Sequence, residues 1–395
     1  MADIGPLFFE SGPTRAREKP QGRAWAQIDL AAVTANVRRL TEAARGAAVM
    51  AVVKADAYGH GLVPVARAAR LGGATWLGVA LLEEAVALRA AGDAGRILAW
   101  LASPGDDFER CIRFGVDLSA SDHWMINEIS AAAARAGRPA LVHLKVDTGL
   151  GRGGAAMAQW QDLVRLAAAA QDKGVVRVVG LWSHFAYADC PDHPTVNLQL
   201  EQFDAAIEVA AKLGITPEVR HIANSAATLT KPSSHYDLVR PGIAVYGISP
   251  GPAVGTSRSL GLRPVMTLAA RLSQVKKLPA GHGISYGHQY VTTADTTVGL
   301  VPVGYADGLP RASTNAGPVW AAGGQRIVAG RMCMDQFVID LGNDDAWAGD
   351  EVVIFGPGTN GEPTADDWAA ACETISYEIV SRIGPRIPRV FVGGL

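Results

Sequence analysis

The stretch Val49-Met50-Ala51-Val52-Val53-Lys54-Ala55-Asp56-Ala57-Tyr58-Gly59-His60-Gly61 joins an apolar run to a lysine and then to a glycine-flanked turn. Five consecutive apolar residues with no polar alternation suit a parallel strand covered on both faces by helices. A lysine directly after such a run sits at the strand's C-terminal end. Barrel enzymes place their reactive groups at that end.

Similar runs recur on either side of a series of helical patterns. They are Thr75–Ala80, Ile97–Leu101, Val116–Ser119, Leu141–Val146, Val178–Ser183, Val219–Ile222 and Tyr236–Val239. A helix is expected over 30–45 before the first run, and others over Leu81–Ala91, Asp122–Ala136 and Thr195–Leu213. Eight strands alternating with helices predict a (β/α)8 barrel of the TIM type, with a doubly wound open sheet as the competing arrangement. After Pro250 the texture changes. Val265–Val275, Thr297–Val303, Gln325–Ala329, Gln336–Leu341 and Glu351–Phe355 are short runs separated by Gly, Pro and Asn, with one helical stretch over 365–382. They predict a mostly β C-terminal domain. The expected division is an extension over 1–24, a barrel over 25–254 and a β domain over 255–395. The residues before about 45 are free to pack on the second domain.

Composition narrows the partners. The chain has 395 residues, 49% of them hydrophobic and 19% charged, with a net charge of −2. That balance supports a large core and gives no reason to expect a nucleic acid or a membrane as partner. Cys111, Cys190, Cys333 and Cys372 form no metal-binding spacing, and scattered thiols fit a reducing, cytoplasmic setting. No metal site is expected. Leu7-Phe8-Phe9 is too short for the apolar core of a signal peptide.

Several strand ends carry polar groups. Lys145 follows strand five, His184 strand six, Asn224-Ser225 strand seven, and Arg240-Pro241-Gly242-Ile243 strand eight. Barrels often bind phosphate with the loops after strands seven and eight. Ser225 can donate there, and Gly242 lets backbone N–H groups approach an anion. Taken singly, Lys54 could be a lysine reaching out from a strand end and Ser225 a helix cap. Together they describe a mouth with an amine able to form a Schiff base and a phosphate cradle opposite it. Gly149-Leu150-Gly151-Arg152-Gly153-Gly154 fits a dinucleotide fingerprint in spacing only. Val146-Asp147-Thr148 separate it from the strand, and no acidic residue ends the following strand, so a nucleotide role is rejected.

The stretch from Val52 to Gly61 resembles the cofactor-lysine signature of the bacterial alanine racemases, and the similarity recurs along the chain from about residue 25. It includes Lys145-Val146-Asp147-Thr148-Gly149-Leu150-Gly151-Arg152, Ser183-His184-Phe185-Ala186, and the stretch from Val239 to Gly247. In the β domain it includes Gly283-Ile284-Ser285-Tyr286-Gly287, Gly304-Tyr305-Ala306-Asp307-Gly308, Met332-Cys333-Met334-Asp335-Gln336 and Ser376-Tyr377-Glu378-Ile379.

The resemblance implies an isomerase that interconverts L- and D-alanine with pyridoxal 5′-phosphate, supplying D-alanine for peptidoglycan from a homodimer with shared active sites. By position, Lys54 matches the lysine that holds the cofactor and serves as one acid/base group, and Tyr286 matches the other. Arg240 matches the arginine facing the pyridine nitrogen. Tyr58, Asn224, Ser225, Gly242, Ile243 and Tyr377 match phosphate and cofactor-packing positions. Arg152 matches an arginine near the cofactor phenolate and the substrate carboxylate, and His184 a histidine bonded to the catalytic tyrosine. Tyr305, Met334 and Asp335 match substrate-pocket positions. Lys145 matches a lysine that in many relatives carries a carbamate. Gly153 departs from the family, which usually has a larger residue there. His60 and Cys333 have no derived role and are read as packing residues.

Two bases on opposite faces of the substrate are what racemisation requires. A cation beside Tyr286 would lower its ordinary value near ~10. Arg240, always charged, disfavours a second positive charge on an adjacent ring nitrogen. The remaining alternatives are a racemase for serine or lysine, a decarboxylase of the same fold, and a non-catalytic carrier of the cofactor. Arg240 argues against the decarboxylase, because those enzymes use an acidic residue near the ring nitrogen.

Overall fold

A computed structural model describes residues 22–394. The extension expected over 1–24 lies outside the described residues as far as 21. The eight expected barrel strands form at Ala48–Val52, Trp76–Val79, Arg96–Ala99, Asp117–Ala120, Ala140–Asp147, Val176–Trp182, Val219–His221 and Leu238–Val239. Neighbours pair in parallel in that order, and Leu238–Val239 returns to pair with Ala48–Val49. Strands seven and eight meet through two backbone bonds, Asp237 N–H to Arg220 O at 3.2 Å and Arg240 N–H to Ala223 O at 2.9 Å. The sheet is thus a nearly closed barrel, and the open doubly wound alternative is excluded. Helices expected over 30–45, 81–91, 122–136 and 195–213 form at Leu30–Ala43, Leu82–Ala90, His123–Ala136 and Pro194–Lys212.

The remaining strands form a mostly β region. One six-stranded sheet runs Gly324–Ile327, Pro318–Ala321, Glu351–Phe355, Met266–Arg271, Ala24–Asp29, Arg389–Val392. Ala24–Asp29 lies in its interior, antiparallel to Met266–Arg271 and parallel to Arg389–Val392. A three-stranded sheet of Gln274–Leu278, Thr296–Val301 and Phe337–Gly342 stands beside it. Gly283–Ile284 pairs with Tyr290–Val291 as a small ribbon that carries Tyr286 at its turn. The run expected over Val265–Val275 is therefore two strands in different sheets, parted at Leu272-Ser273. The helix expected over 365–382 is likewise two, Ala365–Ala371 and Ser376–Ser381, parted where Glu373 takes φ 55°.

One local feature positions Lys54. Ala55, Asp56, Ala57 and Tyr58 all have φ between 52° and 54° and form a left-handed helical turn. Four non-glycine residues in this region each cost about 1–2 kcal/mol, because Cβ crowds the following carbonyl oxygen. The turn persists because its polar groups are held from outside. Glu84 accepts from Ala55 N–H at 2.6 Å, and Asp56 accepts from Leu62 N–H at 2.7 Å. The His60 Nδ1 lies 3.0 Å from Ala57 O and 2.9 Å from Tyr58 O, so it carries the hydrogen and donates to both. His60 is thus the cap of this turn, which is the packing role expected of it.

Ala55 is exposed and makes the strain testable. Glycine tolerates positive φ, so Ala55→Gly should raise the unfolding free energy by about 0.5–1 kcal/mol after the larger chain entropy of glycine is subtracted. Urea denaturation reads it. A loss of about 1 kcal/mol, as in an ordinary helix interior, would contradict the left-handed turn.

Candidate active site

The expected site residues fall into two groups. At the barrel mouth stand Lys54, Tyr58, Lys145, Arg152, His184, Asn224, Ser225, Arg240, Gly242 and Ile243, joined by Tyr377 from the helix Ser376–Ser381, whose ring centroid is 6.3 Å from that of Tyr58. The second group, Tyr286, Tyr305, Met334 and Asp335, lies on the surface of the β region. Tyr305 N–H donates to Cys333 O at 3.0 Å, Ser285 Oγ donates to Arg331 O, and the Asp335 carboxylate pairs with Arg386 at 2.7 Å. Tyr286 is 71% exposed and Met334 53%. Among the described residues no hydrogen bond, ion pair or ring contact joins the two groups, and the Tyr286 hydroxyl has no protein partner.

Arg240 organises the first group. Its guanidinium is buried beyond strand eight. It donates to Ser183 O at 2.8 Å, to Ile222 O at 3.3 Å, to His221 Nδ1 at 3.0 Å and to His184 Nδ1 at 3.1 Å. Burial pushes its pKa down to about 9, which leaves it charged at neutral pH. A guanidinium has only donors, so both imidazoles must accept at Nδ1 and carry their hydrogen at Nε2. Burial and the Arg240 charge hold His184 and His221 well below the ordinary histidine value, so both rings are neutral. His184 therefore keeps one donor, Nε2–H, unengaged by Arg240.

Other cations crowd the mouth. Burial, then Arg152, lowers the Lys54 amine, against an opposing pull from Glu84. Burial, then Arg240 and Arg152, lowers Lys145 to about 8. Sequence reasoning did not single out Trp182, at the end of strand six, which lies against two of these charges. Its ring lies 4.4 Å from Lys145 Nζ and 4.9 Å from the Arg240 guanidinium, and its Nε1–H donates to Ser119 Oγ at 3.0 Å. A π face beside two cations is attractive to both. An aromatic residue directly before Ser183-His184 was the available signal. Glu84 was missed as well, since it lies on the helix after strand two.

The loops after strands seven and eight, where the sequence led us to expect a phosphate cradle, meet around the Ser225 hydroxyl. Asn224 caps the short helix Ser225–Thr230, accepting from Ala227 N–H at 3.1 Å. The Ser225 hydroxyl accepts from Gly242 N–H at 2.8 Å and Ala244 N–H at 3.3 Å. A Cβ on Gly242 would overlap the Tyr58 hydroxyl, so only glycine fits. Burial raises the Tyr58 and Tyr377 hydroxyls, keeping them protonated donors. The Ser225, Tyr58 and Tyr377 O–H groups, ringed by lysines and arginines, form a donor set that fits an anionic, phosphorylated aromatic cofactor. The glycine loop after strand five does not offer such a cradle. The Asp147 carboxylate already accepts from the N–H groups of Gly149, Leu150 and Gly151 at 2.9–3.2 Å. Among the described residues no His/Cys/Asp/Glu cluster could hold a metal, and no helix is long and apolar enough to cross a membrane.

The neutral histidines make the fold acid-sensitive. Burial lowers His60 to about 4, and His184 and His221 are lowered too. In the unfolded chain all three titrate near ~6.5. Below that value the unfolded state binds protons that the folded state refuses, so stability falls as pH drops from 6.5 through the folded values. The unfolding free energy should decline steeply between pH 6.5 and 4. Its slope between pH 6 and 4.5 should be shallower in His60→Gln by roughly one proton, about 1.4 kcal/mol per pH unit. A flat profile would contradict three buried neutral rings.

Family models match over most of the chain, the alanine racemase N-terminal domain at residues 28–250 and the alanine racemase C-terminal domain at 265–391. The alanine racemase of Frankia casuarinae is 58% identical over 370 residues, 94% of this chain and 96% of the relative. The crystal structure of alanine racemase from D-cycloserine-producing Streptomyces lavendulae superposes with a TM-score of 0.94 at 58% identity, covering 96% of this chain and 99% of that one. At 32% identity, the Bacillus anthracis alanine racemase with bound L-Ala-P has a TM-score of 0.86 over 95% of this chain and 96% of its own. The chain belongs to the alanine racemase family.

Proposed function

We propose that this enzyme interconverts L- and D-alanine by two-base proton transfer at a site shared between two copies of the chain. It is an isomerase, and we place it in the cytoplasm, supplying D-alanine for peptidoglycan. The observation that carries the reading is the split of the site residues into a cationic barrel mouth and an exposed tyrosine surface. Each group is half of a site. The division of labour follows the chain, with a barrel unit up to residue 254 and a β unit over 255–395 whose sheet takes in the strand Ala24–Asp29.

Pyridoxal 5′-phosphate, when bound, supplies an electron sink that makes the hydrogen on an amino acid's α-carbon removable. Lys54 would hold its aldehyde end, Ser225, Gly242, Ile243, Tyr58 and Tyr377 its phosphate, and Arg240 its ring nitrogen. Asn224 orders the helix end at that cradle. Arg152 would orient the substrate carboxylate, and Tyr305, Met334 and Asp335 of a second copy would line the pocket. Released from the cofactor by the incoming substrate amine, the lowered Lys54 amine would take the α-proton from one face. Tyr286 of the second copy would serve the other face, with its oxygen against the His184 Nε2–H. The His184 ring is neutral, so it stabilises a tyrosine anion by donating a hydrogen bond, with the Arg240 charge behind it.

Lys145 supports a further modification. A primary amine lowered to about 8 has a reactive neutral fraction at physiological pH. A Cβ on Gly153 would lie 3.4 Å from its Nζ, so glycine leaves space there. We place a carbamate on Lys145, which would turn a cation beside Arg152 into an anion that holds it. Enzyme equilibrated with 13C-bicarbonate should show a labelled carbamate resonance that disappears in Lys145→Ala, and its absence from the unaltered enzyme would overturn the assignment.

The reaction is tested by proton NMR of L-alanine with cofactor-loaded enzyme in heavy water. The α-proton signal should disappear and the product become racemic, without release of carbon dioxide. Retention of the α-proton would overturn the reading. Tyr286→Phe should bind cofactor normally yet lower racemisation at least about a hundredfold, the usual worth of one acid/base group, with exchange surviving for only one enantiomer.

A further inference from the structure

The interior of a (β/α)8 barrel is ordinarily filled by branched apolar side chains. Here a line of polar groups runs through it. Asp117 opens strand four at the end away from the mouth, His143 lies in the middle of strand five, and His221 ends strand seven; all three are fully buried. His143 Nε2 is 3.2 Å from Asp117 Oδ2, His143 Nδ1 is 2.8 Å from His221 Nε2, and His221 Nδ1 is 3.0 Å from Arg240.

The donors along this line can point only one way. Arg240 cannot accept, so His221 Nδ1 must, which leaves its hydrogen on Nε2. That hydrogen points at His143 Nδ1, which therefore accepts and leaves its own hydrogen on Nε2, facing the Asp117 carboxylate. Asp117 is the only group in the line that cannot donate. Reversing any member would set N–H against N–H somewhere between it and Arg240, in a dry interior where the repulsion is unscreened. Asp117 is itself held by Arg96, whose Nε and Nη2 donate to the same oxygen, Oδ2, at 3.1 and 2.6 Å. Its other oxygen, Oδ1, has no hydrogen-bond partner.

We propose that Asp117 is a positioning residue for the reaction at the far end of the barrel. By accepting from His143 it holds that ring with its Nδ1 lone pair towards the His221 Nε2–H, and so steadies His221 against the Arg240 guanidinium. The inference rests on the reading of Arg240 as the group facing the cofactor ring.

The test compares two substitutions in the cofactor-loaded enzyme, with 15N-labelled histidine. Asp117→Asn keeps an acceptor oxygen for His143 and Arg96 and puts its NH2 where Oδ1 has no partner, so it removes charge but not direction. Asp117→Ala removes the acceptor. The 15N spectra of the unaltered enzyme should show His143 and His221 with their hydrogen on Nε2 and a lone pair on Nδ1. Asp117→Asn should keep them, whereas Asp117→Ala should free the His143 ring, move the His143 and His221 15N resonances and shift the cofactor's visible absorption. kcat should fall at least about tenfold in Asp117→Ala with KM for alanine within about twofold, and recover in Asp117→Asn. An Nδ1–H or doubly protonated His221 in the unaltered enzyme would overturn the proposal, and that measurement decides even if Asp117→Ala fails to fold. Unchanged 15N resonances and kcat in a folded Asp117→Ala would also overturn it. If the tautomers are as stated but the enzyme exchanges no α-proton, the directional line stands and the racemase reading falls.

Discussion

A guanidinium removed from water is the constraint around which the mouth of this barrel is arranged. Arg240 is nearly inaccessible to solvent, and among the described residues no carboxylate pairs with it. A buried charge of this kind is tolerated only when its hydrogens are bonded. Two carbonyls and two imidazoles meet that need, and Trp182 adds its π face. The consequences spread outward. The imidazoles are forced neutral, Lys145 is lowered, and any anion entering the mouth gains from a surplus of positive charge.

The strained turn after Lys54 is the second constraint, and it is coupled to the first through the shared mouth. Glu84 holds the turn at its start and also tempers the lowering of Lys54. Gly59, at its end, lies so close to the Val380 carbonyl that a side chain would not fit. The helix that supplies Val380 also supplies Tyr377, so the β region fixes one wall of the cradle. Gly153 sets no side chain against the Lys145 amine.

The barrel was legible because its strands are buried on both faces and read as apolar runs, within one or two residues of where they form. The β region was legible only in part. Ala24–Asp29, Pro318–Ala321 and Arg389–Val392 are short, and their place is set by partners far along the chain, so no local period announces them. Val265–Val275 reads as continuous because the chain changes sheets without a glycine or proline at the break. The left-handed turn was invisible, since Lys-Ala-Asp-Ala-Tyr suits an ordinary helix and its conformation is imposed by Glu84 and His60. Motif resemblance located the mouth residues. It did not reveal Trp182, His143, His221 or Asp117, whose importance lies in contacts between strands rather than in any spacing along one.

In the proposed dimer each site joins the Lys54 of one copy to the Tyr286 of another. Mixed dimers test it most directly. Lys54→Ala and Tyr286→Phe proteins, each nearly inactive alone, would be unfolded or dissociated together and reassembled in equal amounts. If the site is shared, half of the dimers are mixed, each carries one intact site, and alanine racemisation returns to about a quarter of the unaltered enzyme's rate. If both groups served the same chain's site, every site would lack one base and the mixture would stay as inactive as its components, which would contradict the account.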